Sequence, residues 1–302
     1  MFKEPNFTCR VTKVADPPGA KPFSRLLYAE SEAAAREMLD RMGYVVQSLD
    51  AYDFKIWKDE AKQKYEEAAK SFANKDFTFA NIWGDLKEHL QDLYRHRCAY
   101  CDGAYEAFGY GDVEHYRPKG RVTEEPGHPG YWWLAYDPNN YLPSCQRCNQ
   151  EAKKNHFPVG GKRAKAPADS LDDEMPLLMH PDRDEWFDHV RFMPTCSSNG
   201  DKPGWAKGVS DKGRKSIEVF GLNREPLRDA RQREQQLALL EYKQALVSSV
   251  NSDDDRSLND LKQRCETGLR PFYAAAMDEM LAYAAKKGFK PPFSHSNGGG
   301  KT

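Results

Sequence analysis

Long apolar segments and an excess of charge of one sign are both missing from this sequence. No apolar run approaches the ~18 residues that a membrane-spanning helix requires, so we expect no membrane contact. The first residues, MFKEPNFTCR, contain no apolar signal core, and we therefore expect a cytoplasmic protein. The 45 basic and 46 acidic residues nearly balance, so any contact with nucleic acid needs a local basic surface.

Cysteine is scarce, with seven residues in 302, which argues against a disulfide-stabilised scaffold in a chain that is not secreted. Four of the seven form two C-x-x-C pairs, Cys98/Cys101 and Cys145/Cys148, separated by 43 residues. Two such pairs can place four thiolates about 2.3 Å from one tetrahedral ion, whereas a redox motif needs a single pair beside a βαβ pattern. Four sulfurs complete the coordination shell, so the spacing predicts a structural zinc ion.

Composition and periodicity divide the chain into five segments and predict an α+β fold. Alternating and helical patterns in residues 1–54 predict a small β-β-α-β unit, which we interpret as an adaptor or docking domain. Charged helical sequence in residues 55–97 predicts linking helices, the last of them from about Phe79 to His96. The remaining segments are a loop-rich core with the zinc site at 98–165, a mostly helical region at 166–290 and a flexible tail at 291–302.

The chemistry-bearing motifs all lie in the loop-rich core. GDVEHYRPKG (111–120) lies between the cysteine pairs, and WWLAYDPNNYLPSCQRCNQEAKKNHFP (132–158) contains the second pair. This order resembles the zinc-bound HNH endonuclease motif over about 60 residues: C-x-x-C, an acidic residue and histidine on a strand, asparagine, then C-x-x-C-N opening a helix. The resemblance implies a zinc-stapled ββα-metal (HNH) core.

A looser resemblance extends beyond that core. MPLLMHPDRDE and GLNREPLRDARQRE are similar to segments that follow the core in a subgroup of bacterial HNH proteins. Some members of this subgroup are linked to anti-phage systems of the Septu and retron type. The resemblance therefore implies an effector of anti-phage defence that acts with a protein partner. We expect that partner to be an ATPase.

His115 is the candidate general base. Imidazole is the side chain in this core that can accept a proton near neutral pH without special tuning. A neighbouring carbonyl would orient the other ring nitrogen. Asn140 is the matching candidate for fixing that geometry, and Asn139 is the alternative.

The resemblance also implies a catalytic divalent ion. Glu114, where the family usually has aspartate or histidine, and Asn149, directly after Cys148, match the family's ligand positions. His156 is a further candidate ligand, because it is close in sequence and imidazole binds divalent ions well. Oxygen ligands favour Mg²⁺ or Mn²⁺ at this site.

Basic residues around the motif are candidates for contacts with nucleic-acid phosphates, which are independent of sequence. These residues are Arg117, Lys119, Arg121, Lys153 and Lys154. The sequence thus predicts a metal-dependent HNH endonuclease that hydrolyses DNA. The alternative is a non-catalytic zinc-stabilised nucleic-acid-binding or scaffold protein, which the glutamate at position 114 favours.

Overall fold

The computed structural model describes residues 3–13, 23–41, 44–72, 77–105, 109–195, 202–252, 256–266 and 272–289. Within these ranges helices combine with three small antiparallel sheets, as the predicted mixture of helix and strand requires. The strands are β1 (Phe7–Lys13), β2 (Phe23–Leu27), β3 (Tyr44–Ala51), β4 (Asp112–His115), β5 (Tyr141–Ser144), β6 (Val190–Phe192) and β7 (Ala206–Gly208). The helices are α1 (Glu32–Arg41), α2 (Lys55–Ser71), α3 (Lys87–Leu93), α4 (Trp186–His189), α5 (Asp211–Phe220), α6 (Glu225–Ser252), α7 (Arg256–Glu266) and α8 (Tyr273–Lys287). The predicted tail at 291–302 lies outside the described residues.

The N-terminal elements occur in the order strand, strand, helix, strand. β1 lies between β2 and β3 and pairs antiparallel with both. α1 buries Ala35 and Leu39 in a cluster with Cys9 and Leu27 of the sheet. This sheet therefore has a small apolar core of its own, and its docking role stays a prediction.

The helices α2 and α3 cover one face of the hairpin formed by β4 and β5. Ile82, Leu86 and Leu90 follow one another at intervals of four residues, which brings them to one side of the chain. They pack in one apolar cluster with Trp57 of α2 and Tyr141 of β5. The linking segment thus belongs to the same packed body as the predicted site.

The last linking helix is shorter than the sequence predicts. A 3₁₀ turn occupies Trp83–Leu86, and α3 ends at Leu93 rather than near His96. Arg95 and His96 have φ angles of 53° and 56°, and this left-handed conformation cannot continue a right-handed helix. The chain therefore reverses direction just before Cys98.

The hairpin of β4 and β5 carries the predicted site. Glu114 pairs with Leu142, and His115 pairs with Tyr141. Because side chains alternate along a strand and opposed residues share a face, His115 lies with Tyr141 while Glu114 lies on the other face. A π-helical segment, Arg147–Lys153, follows β5.

The C-terminal region is helical around the small hairpin of β6 and β7. α6, α7 and α8 pack about a core that includes Tyr242, Leu261 and Met280. α5 reaches the cysteine-bearing loops, where Phe220 stacks on Tyr100 with ring centroids 4.1 Å apart. In the part of the chain that the structure describes, no helix is both long and apolar enough to cross a membrane.

Candidate metal centre and histidine site

The four cysteines of the two C-x-x-C pairs come together. The Sγ atoms of Cys98, Cys101, Cys145 and Cys148 all lie within 4.8 Å of one another. Sulfurs bound at about 2.3 Å to a tetrahedral ion would be about 3.8 Å apart, so this spacing fits one zinc ion with little adjustment. The cluster could therefore hold the structural zinc that the sequence predicts.

Arg224 is a neighbour of this cluster that the analysis of spacing did not find. Its guanidinium donates to Sγ of Cys148 at 3.4 Å. The nearby cysteine sulfurs raise the pKa of Arg224 above its usual value, although burial acts in the opposite direction. Four thiolates around one divalent ion leave two negative charges, and this arginine offsets part of that excess. The only signal in the sequence was its place in GLNREPLRDARQRE.

His115 ends β4 and its imidazole is held by a backbone carbonyl. Nε2–H donates to the oxygen of Ala135 at 3.0 Å, while Nδ1 has no hydrogen-bond partner among the described residues. The ring is 5% exposed and packs edge-on against Trp83 and Tyr141, at centroid distances of 4.8 and 5.0 Å. Burial lowers the pKa of His115 to about 3, so the ring is neutral at pH 7. The neutral tautomer that donates through Nε2 carries a lone pair on Nδ1, which can accept a proton.

Asn140 fixes the backbone around that carbonyl. Its Nδ2 donates to the oxygens of Arg117 at 3.0 Å and Leu134 at 3.2 Å, and its Oδ1 accepts from the Arg117 N–H at 2.8 Å. Asn140 is buried, whereas Asn139 is exposed and bonds to Asp137. Of the two asparagines left open by the sequence, Asn140 is therefore the one that faces inward.

Glu114 and Lys153 form a buried ion pair on the other face of β4. Lys153 Nζ lies 2.5 Å from Oε1 of Glu114 and donates to the backbone oxygen of His115 at 3.1 Å. Burial raises the pKa of Glu114 although Lys153 acts to lower it. The prediction that Lys153 contacts phosphate does not agree with its position, because its side chain is 0% exposed and is committed to this carboxylate.

The three side chains predicted to bind a catalytic ion contact different partners. Glu114 contacts Lys153, the amide of Asn149 donates to Asp112 at 3.1 Å, and His156 pairs with Glu124 at 2.9 Å. No contact in the structure joins any two of the three. As they stand, these donors do not fit a shell for Mg²⁺ or Mn²⁺, and the requirement for such an ion stays a prediction.

Asp112 is a second carboxylate at this hairpin that sequence reasoning passed over. It accepts from Asn149 and from Gln150, the latter at 2.9 Å. It precedes Glu114 by two residues on β4, so the period of two along a strand places both carboxylates on one face. The alternation of acidic residues in GDVEH could therefore have identified Asp112 from the sequence.

Arg117 is also buried, contrary to its predicted place at a phosphate-binding surface. Its Nε lies 2.8 Å from Oε2 of Glu174, whose other oxygen accepts from Tyr131. A guanidinium that pairs with a carboxylate out of contact with water is not available to an external phosphate. Arg117 instead ties the end of the β4 strand to the loop that contains Glu174.

The other three basic candidates remain at or near the surface. Arg121 and Lys154 are exposed, and Lys119 is partly buried. The ammonium of Lys119 lies 4.5 Å from the ring centroid of Trp83, and its positive charge helps to lower the pKa of His115. Of the basic candidates that are not fully buried, Lys119 is thus the one whose charge acts on His115.

The chain is similar to two curated proteins. It is 36% identical to a Septu protein PtuB of Bacillus mycoides (strain KBAB4) over 178 residues, 56% of this chain and 58% of that protein. It is 26% identical to a Septu protein PtuB of Bacillus thuringiensis over 146 residues, 47% of this chain and 44% of that protein. No family model and no solved structure matches the chain. The chain thus spans about half the length of the Septu proteins that it matches.

Proposed function

We propose that this chain is an HNH-type endonuclease that hydrolyses phosphodiester bonds in DNA with His115 as general base. The observation that carries the proposal is the hydrogen bond from Nε2 of His115 to the oxygen of Ala135. That bond selects one neutral tautomer and leaves Nδ1 as the proton acceptor. Asn140 bonds to the backbone oxygens of Leu134, the residue before that carbonyl, and of Arg117, two residues after His115, so the orientation exists before any substrate arrives.

In the proposed reaction, Nδ1 of His115 takes a proton from water while the water oxygen attacks phosphorus. The bond from phosphorus to the 3′ oxygen breaks, the departing 3′ oxygen takes a proton from solvent, and the products carry a 5′-phosphate and a 3′-hydroxyl. The low pKa of His115 keeps the ring in its basic form but makes it a weak base. A phosphate anion beside the ring would raise that pKa, because negative charge favours the imidazolium, so substrate binding would strengthen the base.

Lys119 is proposed to stabilise the charge that develops on the phosphate. Its ammonium is close enough to lower the pKa of His115, and its side chain is only partly buried. A fixed cation near the attacked phosphorus lowers the energy of the transition state most where water is excluded. Lys154 and Arg121 would add contacts to neighbouring phosphates along the strand.

The resemblance to HNH nucleases predicts a need for Mg²⁺ or Mn²⁺, which when bound would neutralise charge on the phosphate. Glu114 and Asn149 would have to exchange their present partners, Lys153 and Asp112, to become ligands. Cleavage assays with Mg²⁺, Mn²⁺ or EDTA test this requirement.

We further propose that the chain acts in defence against phages, in the cytoplasm and together with a protein partner. The similarity to two Septu proteins and the resemblance of the segments after the core support this role. The β1–β3 sheet with α1 is the proposed docking surface, and an ATPase is the proposed partner. Full degradation of DNA by the purified chain alone, with no protein co-purifying from its native host, would contradict the need for a partner.

Cleavage of supercoiled plasmid tests the nuclease directly. Wild type is compared with His115→Gln and His115→Ala, each with Mg²⁺, Mn²⁺ or EDTA. Glutamine can keep the donor to Ala135 but has no basic nitrogen, so we expect cleavage to fall about 10²–10⁴-fold with DNA binding retained. His189→Gln is the matched control, since His189 bonds to Ser210 and not to the site. Wild-type rates in His115→Gln would exclude the proposed base.

The alternative, a zinc-stabilised binding or scaffold protein without catalysis, is favoured by one observation. Glu114 and His115 are each 5% exposed, and Glu114 is neutralised by Lys153. In that case wild type and His115→Gln would bind DNA equally, and neither would cut it with either ion or after addition of the partner. Cleavage that requires His115 rejects this alternative.

A further inference from the structure

Tyr110 is the most exposed large hydrophobic side chain in the part of the chain that the structure describes. Its exposed fraction is 86%, and it lies two residues before β4, the strand that carries His115. Tyrosine rings combine a large apolar surface with a polar tip, and they are enriched where a protein contacts a ligand or partner. The proposed reaction at His115 does not itself use this ring.

The backbone at Tyr110 is held in place by buried groups. Gln91 of α3 is 6% exposed, and its Nε2 donates to the carbonyl oxygen of Tyr110 at 2.7 Å. Gly111 follows with a φ angle of 61°, and a Cβ atom there would lie 2.5 Å from the ring of Tyr105. The aromatic ring therefore projects into solvent from an anchored backbone. Binding through a preorganised group costs less conformational entropy than binding through a mobile one.

The segment that leads into β4 lies beside the 3₁₀ turn and α3, and the two run in opposite directions. At one end the ammonium of Lys87 lies 5.8 Å from the ring centroid of Tyr110. At the other end the rings of Trp83 and His115 meet edge-on, with centroids 4.8 Å apart. The ammonium of Lys119 lies 4.5 Å from the centroid of Trp83. We call Tyr110, Lys87, Trp83 and Lys119 the aromatic–basic strip.

The two lysines of the strip are not neutralised by carboxylates. Neither Lys87 nor Lys119 forms an ion pair within the described ranges, and both are partly exposed. Asp112 accepts hydrogen bonds at 3.1 and 2.9 Å from two amide side chains that follow the second cysteine pair. Asp85 lies toward α2, where burial and Glu60 raise its pKa. The positive charge of the strip is therefore available to phosphates.

The strip has the length of a few nucleotides. Tyr110 precedes His115 by five residues, and five residues of extended chain span at most about 18 Å. Nucleotides rise about 3.4 Å along each strand of B-DNA, so this distance corresponds to about five of them. A strand with one base at Tyr110 could thus place a nearby phosphate at His115.

We propose that the aromatic–basic strip binds single-stranded DNA, with a base stacked on Tyr110 and phosphates at Lys87 and Lys119. Aromatic rings beside a basic surface are how proteins hold unpaired strands without reading their sequence. Lys119 occupies one face of Trp83, whereas the ring of Tyr110 is open to a base. The bases of a duplex are paired and stacked on one another, so they cannot stack on Tyr110 unless the duplex opens. The inference rests on the proposed function for the choice of DNA, and it names the form of that substrate.

The surroundings of His115 also favour a single strand. The imidazole is 5% exposed and packs between Trp83 and Tyr141, so a phosphate has to enter a narrow space to reach it. Duplex DNA is stiff over about 150 base pairs, and it presents its phosphates on a broad convex surface. A flexible single strand can bring one phosphate into such a space while a neighbouring base stacks on Tyr110.

Fluorescence anisotropy of a dye-labelled oligothymidine strand tests the proposal. The full chain loaded with zinc is titrated without Mg²⁺ or Mn²⁺, so that binding is measured separately from cleavage. We expect Tyr110→Ala to weaken binding about 5- to 150-fold, as loss of one stacked base predicts. Tyr110→Phe keeps the stacking ring and should bind like wild type. Phe289→Ala is the matched control, because it removes an aromatic ring that is 46% exposed at the end of α8.

The salt dependence of binding tests the phosphate contact of Lys87. Loss of one contact to a single strand should reduce the slope of log affinity against log salt concentration by about 0.7. We expect that reduction in Lys87→Gln. Lys215→Gln on α5 is the control, a partly exposed lysine that pairs with Glu218, and it should keep the wild-type slope.

Three results would overturn the proposal. The first is equal affinity of the wild type for the oligothymidine strand and for a duplex of the same length. The second is an affinity of Tyr110→Ala that equals that of Phe289→Ala. The third is tighter binding of an oligouridine strand, which would assign the strip to RNA. Failure of the nuclease is a separate result, because plasmid cleavage by His115→Gln at the wild-type rate rejects the base and leaves these affinities unchanged.

Discussion

The cysteine centre and the histidine site lie on one stretch of chain, from Cys98 to Lys153, yet they are stabilised in different ways. At the cysteine centre four sulfurs lie within 4.8 Å of one another and could hold one zinc ion, whose binding would contribute to the stability of the fold. At the histidine site protein groups complete the geometry. Asn140 bonds to the backbone of Arg117 and Leu134, and a lysine neutralises Glu114. We therefore expect the first centre to depend on a bound ion, whereas the second is preorganised by the chain.

This difference predicts how the loss of each centre affects the stability of the fold. Loss of the ion should destabilise the fold of the loops around it, because the free energy of binding a structural zinc ion contributes directly to folding. Loss of the imidazole should leave the fold intact, because the hydrogen bonds that shape its surroundings come from other residues. Four substitutions test this contrast, and they follow in order of expected effect.

The largest effect is expected from Cys148→Ser. Serine is a poor zinc ligand, so we expect the bound zinc to be lost and the free energy of unfolding to fall by about 5 kcal/mol or more. Metal analysis and urea denaturation measure the two quantities. Cys9→Ala removes a buried cysteine of the N-terminal sheet and should keep its zinc. Retention of zinc and of the melting temperature in Cys148→Ser would show that Cys148 is not required as a zinc ligand.

Lys153→Met should follow, with a cost of about 3–5 kcal/mol, because it leaves the Glu114 carboxylate buried without its partner. The double variant Lys153→Met with Glu114→Gln should recover part of that loss. Lys154→Met changes the exposed neighbour and should affect stability by less than about 0.5 kcal/mol. Equal stabilities of the 153 and 154 variants would contradict the buried ion pair.

Asn140→Ala comes third, since it leaves backbone groups of Arg117 and Leu134 without partners. We expect a loss of about 2–4 kcal/mol in unfolding free energy. Asn139→Ala, one residue away and exposed, should cost less than about 1 kcal/mol. The same loss at both positions would mean that the hydrogen bonds of Asn140 contribute no specific stability.

Arg224→Gln is expected to have the smallest effect on the fold. It removes the donor to Cys148, and such partners of metal ligands are worth about 10–100-fold in metal affinity. Competition with a chelator measures that affinity. Arg228→Gln, one turn further along α6 and paired with Asp229, is the control and should leave it unchanged. A chelator titration identical to wild type would remove Arg224 from the metal centre.

The sequence predicted what depends on spacing and missed what depends on distant partners. Two C-x-x-C pairs were enough to predict that four thiols converge, because two such pairs can share one ion. The burial of Arg117 and Lys153 in ion pairs could not be predicted from the sequence. Their carboxylate partners, Glu174 and Glu114, are far away in the sequence, and a basic residue looks the same whether it faces water or an acid.

Local backbone conformation is a second feature that could not be predicted from the sequence. Asn139 and Asn140 are chemically identical neighbours, and the 3₁₀ turn Pro138–Asn140 decides which of them turns inward. The early end of α3 likewise arises from left-handed angles at Arg95 and His96, where glycine is the residue that usually adopts them. Neither feature leaves a pattern in composition or periodicity.

The π-helical segment Arg147–Lys153 determines where Lys153 lies relative to the cysteine centre. In a π-helix residue i bonds to residue i+5, so Cys148 and Lys153 are closer in angle around the axis than they would be in an α-helix. In an α-helix the two would lie about 140° apart around the axis. Deletion of one residue here would therefore swing the ammonium away from Glu114 while both C-x-x-C pairs stayed whole. The wide turn therefore sets the direction of the Lys153 side chain relative to the cysteine centre and to the strand that carries His115.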